Sequence, residues 1–118
     1  MLTIRVEQMA ALQRASERTF IDRLSAHVVL RWGVMAGGAA RESWISEAVR
    51  RARGYRLKSE KDITEFVDLT FEFGREFDLE ARHATGAAIL RGRQLAAARM
   101  RQLRDWAAAV RGSAGKEA

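Results

Sequence analysis

An all-α fold, a small bundle of four to five helices, is what this sequence predicts, and three observations predict it. The 118 residues include no proline, so no position removes a helical hydrogen bond or clashes with the preceding turn. Alanine and arginine, both strong helix formers, dominate the composition, and alternating β-branched runs that would mark strands are absent. Apolar residues recur at three- and four-residue steps over long stretches. A chain of this length holds one core, with little room for a catalytic cleft beside it. One domain over residues 1–111 is therefore expected, with a disordered tail at 112–118 (GSAGKEA).

The opening residues Leu2 to Arg5 read as a short extended segment. A first helix then runs from Val6 to Trp32, with Met9, Leu12, Ser16, Phe20, Leu24, His27 or Val28, and Trp32 as a one-sided stripe. At this length it spans about 40 Å, so it serves as the backbone of the bundle or is kinked near Ser25. Residues 33–40 (GVMAGGAA) form the clearest loop. The second helix, Arg41 to Arg53, turns Trp44, Ile45, Ala48, Val49 and Ala52 inward and Arg50, Arg51 and Arg53 outward, with Gly54 as its C-terminal cap. Ser59, with Asp62 three places on, is an N-cap, so a third helix starts at Glu60 and buries Ile63, Phe66, Val67, Thr70 and Phe71. Gly74 stops it in a left-handed cap. Asp78 is the expected N-cap of a short fourth helix that reaches Leu90 and ends at Gly92. A fifth, Gln94 to Arg111, carries Ala96, Met100, Leu103, Ala107 and Val110 on one face.

The formal charge of +6 hides a division. Residues 60–80 hold eight carboxylates against Lys61 and Arg75, a local charge of −6, whereas the chain from Arg91 onward stands at +5. Such segregation lets an acidic helix lie beside basic ones, within the chain or on a second copy, and leaves homo-oligomerisation through the fifth helix open. The chain has no cysteine, no basic segment followed by an apolar run at its start, and no apolar stretch of membrane-spanning length, which together predict a cytoplasmic protein.

Little in the sequence points to chemistry. His27 and His83 are the only histidines and do not share a helical face. Glu65, Asp68 and Glu72 recur at helical spacing, which reads as a salt-bridging face before it reads as a metal or acid–base site. No serine lies in a nucleophile elbow, and the glycines of 33–38 lack the lysine of a phosphate loop. Enzyme activity, a metal and a cofactor are accordingly not expected. Arg50, Arg51, Arg53, Arg99, Arg101 and Arg104 suggest a nucleic-acid alternative, but no helix-turn-helix spacing accompanies them and the aromatic residues lie in the acidic segment. Phe66 and Phe71 belong to the core, while Phe73 and Phe77 are harder to bury together in so small a bundle. Exposed aromatics beside carboxylates are common partner anchors.

The opening Ile4-Arg5 and Gln8-Met9, the segment Phe20, Arg23, Leu24, His27, the run Ala52-Arg53, Tyr55, Ser59-Glu60, Asp62-Ile63, Phe66, and the closing Phe73-Gly74, Phe77-Asp78 together resemble small helical proteins encoded among type VI secretion effector genes. The similarity spans about Leu2 to Leu90; Gly54-Tyr55-Arg56 and the GVMAGGAA loop depart from it. The resemblance implies an accessory role, an adaptor or co-chaperone that binds a secreted effector or its loading chaperone. An immunity protein of a toxin pair shares the same binding logic. The candidate partner-binding residues are Arg53, Tyr55, Phe73, Gly74, Phe77 and Asp78.

Overall fold

The structure, a computed structural model, describes the backbone of residues 6–33 and 38–117 and the side chains of residues 8–33 and 38–113. It is all-α: α1 Val6–Trp32, α2 Gly38–Gly54, α3 Glu60–Phe73, α4 Ala84–Arg91 and α5 Ala96–Glu117, with two 3₁₀ turns, Phe77–Leu79 and Ala81–His83, between α3 and α4. The expected extended segment, Leu2 to Arg5, lies outside the described residues. The chain divides into two compact units between Glu47 and Ala48, inside α2.

In the first unit, α1 runs unbroken over its predicted bounds. Its stripe is buried at Phe20, Leu24 and Val28, joined by Ile45 of α2. Met9 and Leu12, expected to continue that buried face, are exposed. The predicted loop also ends early, because Gly38, Ala39 and Ala40 form the first turn of α2. Arg41 Nε donates to Ser25 Oγ at 3.1 Å, and Arg18 pairs with Asp22 one turn on and with Glu42.

The second unit begins with the end of α2, where the cap differs from the glycine cap expected. The Leu57 N–H donates to Ala52 O and the Arg56 N–H to Arg53 O, a Schellman pair. The residue in the left-handed conformation is Arg56, at φ 65°, two places beyond Gly54. Buried Leu57 closes this turn over buried Ala52.

α3 begins where the sequence places it. The Ser59 hydroxyl accepts from the Asp62 N–H at 3.1 Å, and Glu60 and Asp62 put negative charge on the first turn. Ile63, Phe66, Val67, Leu69 and Thr70 are buried. Gly74 donates to Thr70 O, with φ 130° and ψ 148°, an extended positive-φ conformation open to glycine and not the helical left-handed one expected.

The charge division is resolved inside this unit. Arg104 donates to Glu65, and Arg111 forms a fork onto Glu72. Both partners advance by two helical turns between the two pairs, so α3 and α5 run parallel and side by side. α5 buries Met100, Leu103 and Ala107, and it continues through the residues expected as a tail to Glu117.

Candidate functional site

Three side chains far apart in sequence converge at the turn after α3. Asp78 is 1% exposed and accepts from Arg51 Nη2 at 3.0 Å, from Arg51 Nε at 3.3 Å and from the Tyr55 hydroxyl at 2.5 Å. Arg51 Nη2 also donates to Arg75 O, and its guanidinium lies 5.8 Å from the centre of the Phe66 ring. α2 supplies Arg51, Tyr55 follows its last residue, and the 3₁₀ turn supplies Asp78. The Tyr55 hydroxyl is pushed up to about 12, first by burial and then by its hydrogen bond to Asp78 and that residue's charge. At neutral pH it is a fixed donor.

Beneath this clasp lies an aromatic cluster. Phe66 contacts Tyr55 and Phe77 at 5.8 and 5.6 Å between ring centres. Phe73, Phe77, His83 and Trp106 contact one another, with Phe77 stacked on Trp106 at 6.0 Å and His83 edge-on to it at 5.6 Å. His83 Nδ1 is 3.2 Å from Phe77 O. Gly86 explains how Trp106 fits: a Cβ there would stand 3.0 Å from the indole.

Among the predicted partner-binding residues, then, Tyr55 and Asp78 meet, and Phe73 and Phe77 meet. Two assignments need correction. Phe77 is fully buried and Asp78 almost so, which places both in the interior; Asp78 is a carboxylate acceptor for α2, not the N-cap of α4. Phe77 has the role expected of Phe71, which is only half-buried. Gly74 contributes a backbone conformation, Phe73 and Tyr55 are half-buried, and Arg53 is exposed on α2.

The basic residues are redistributed as well. Arg51 is paired with Asp78 rather than facing outward. Arg99 is 3% exposed: Nη1 donates to Tyr55 O at 2.6 Å and Leu90 O at 2.8 Å, and Nε to Gln94 O at 2.9 Å. It thereby ties the end of α2, the last turn of α4 and the approach to α5. Burial, and then the charge of Arg56, lower its pKa. Arg104 engages Glu65. Glu65 and Glu72 form the salt-bridging face, and no cluster of three or more metal-ligating side chains occurs among the described residues. Sequence reasoning missed the roles of Arg51, Arg99, His83 and Trp106. A helical glycine in the segment preceding a tryptophan-bearing helix was the available signal for Trp106.

Comparison with protein-family models, curated proteins and solved structures returned no match in any of the three. Among the described residues, no helix is long and apolar enough to cross a membrane.

Proposed function

We propose that this chain is a non-enzymatic protein-binding accessory factor of the bacterial cytoplasm, an adaptor or co-chaperone that holds a type VI secretion effector or its loading chaperone. One observation carries the reading. Carboxylates and arginines of the second unit are joined to one another, as Arg51–Asp78, Arg104–Glu65 and Arg111–Glu72. Large apolar side chains meanwhile stand in solvent: Met9, Leu12 and Leu30 on α1, and Leu79 and Leu95 in the second unit. Exposed apolar residues rimmed by charge suit a protein partner. Internal engagement of Arg51, Arg99 and Arg104 weakens the nucleic-acid alternative.

Co-expression with type VI secretion effectors and effector-loading chaperones tests this. A complex that survives size exclusion supports the reading, and separate elution of every pair contradicts it. An immunity role is distinguished by protection of cells from the effector.

A further inference from the structure

Between Ala81 and Arg104 the sequence carries six arginines and not one aspartate or glutamate. In the structure this stretch forms α4, the turn at Gly92 and the first half of α5. Arg82 pairs with Glu80, Arg104 with Glu65, and Arg99 with backbone carbonyls. Arg93 is exposed and makes no hydrogen bond or ion pair with the described residues.

Arg93 lines a surface depression of about 360 Å³ whose wall includes Ala88 and Ile89 of α4, Gly92, and Arg99. Arg99 is one of its lining residues. Its Nε and Nη1 are taken by three carbonyls, while Nη2 has no hydrogen bond. No fully buried side-chain nitrogen or oxygen among the described residues lacks a partner, so Nη2 keeps some exposure to solvent. Leu95, next to the lining residue Gln94, is 83% exposed.

We propose that this depression binds an acidic segment of a partner protein, with a carboxylate set between Arg93 and the free edge of Arg99 and an adjoining apolar side chain on Ala88 and Ile89. Charge complementarity selects the occupant: the lining holds two arginines and no carboxylate, with Ala88 and Ile89 beside the neutral polar Thr85, Gln94 and Gln102. Burial and Arg56 work against the charge of Arg99 while Asp62 favours it, and an incoming carboxylate adds to the contribution of Asp62. A phosphate backbone fits less well, since no aromatic ring lines the depression to stack a base. The proposal rests on the protein-binding reading and names where the partner docks.

The test is an amide chemical-shift titration of the ¹⁵N-labelled full chain with a peptide of alternating leucine and glutamate, against the same peptide with glutamine for glutamate. The expected result is saturable shifts at Ala88, Ile89, Gly92, Arg93 and Gln94 with the acidic peptide only. Affinity should fall at least about tenfold in Arg93→Glu and stay within about threefold in Arg93→Lys, with unchanged unfolding curves because Arg93 is exposed. Equal response to the glutamine peptide overturns the proposal, as do shifts confined to other residues. A DNA oligonucleotide that moves these amides while the acidic peptide does not assigns the site to nucleic acid. Shifts at the same amides with protein concentration alone assign it to a second copy of the chain. A co-expressed partner that binds Arg93→Glu as tightly as the original chain removes this site and leaves the protein-binding reading standing. Failure to find any partner removes that reading, and the peptide titration still decides the depression.

Discussion

Replacing Asp78 with alanine is the sharpest perturbation available, because one carboxylate holds both Arg51 and Tyr55. The substitution removes three hydrogen bonds and leaves a guanidinium whose side chain is only 14% exposed facing an empty site. Breaking one side of a buried ion pair costs about 3–5 kcal/mol. Arg51 retains the Arg75 carbonyl and the Phe66 ring, which places the expected loss near the lower end, about 3 kcal/mol. Domains of this size have a total stability of about 5–15 kcal/mol, so the variant should still fold. Its urea midpoint, followed by circular dichroism, should fall by about 1–2 M. The double variant Arg51→Met with Asp78→Leu removes both charges together, and should cost clearly less than Asp78→Ala alone. A loss under about 1 kcal/mol for Asp78→Ala, or a double variant no better than the single one, would refute the assignment of this clasp as a structural element.

The same clasp makes a prediction in alkali. Tyr55 is the single tyrosine, so phenolate absorbance reports it alone. Its titration midpoint should lie near 12 in the folded chain, near the ordinary value of about 10 when unfolded, and partway between in Asp78→Asn, because burial is the larger cause. Since the folded pKa is raised, the stability Tyr55 contributes is fully present below about pH 10 and is lost as pH rises toward 12. Gly74→Ala places a side chain at φ 130° with its Cβ 3.3 Å from Glu80, and should destabilise by about 1–3 kcal/mol in chemical denaturation. Gly86→Ala should lose about 1–2 kcal/mol despite its better helix propensity, and change the tryptophan fluorescence, because the new methyl presses on Trp106. Phe77→Ala should cost about 3–5 kcal/mol and act on folding before it acts on any partner.

What was legible in the sequence follows from how far each signal travels along the chain. Ser59 and Asp62 are three residues apart, and their hydrogen bond fixed the start of α3. The bounds of α1 came from periodicity, but whether Met9 and Leu12 would be covered depends on tertiary neighbours, and the stripe itself does not say. Asp78 was misread because Ser, Thr, Asn and Asp are judged locally as caps, while its partners lie 23 and 27 residues away. Arg99, in an alanine-rich helix, looks like a solvated charge. Its burial follows from the free carbonyls of Tyr55 and Leu90 at the ends of two other elements. The opposite charges of residues 60–80 and the C-terminal part were visible at once, and their pairing within one chain, by Glu65 with Arg104 and Glu72 with Arg111, appeared only in three dimensions.

The claim that this chain works by holding another protein is tested most directly by light scattering on the chain co-expressed with a type VI secretion effector or an effector-loading chaperone. The prediction is one species whose mass is the sum of both partners, stable at moderate salt. Two species at their separate masses, whichever of these proteins is supplied, would contradict it.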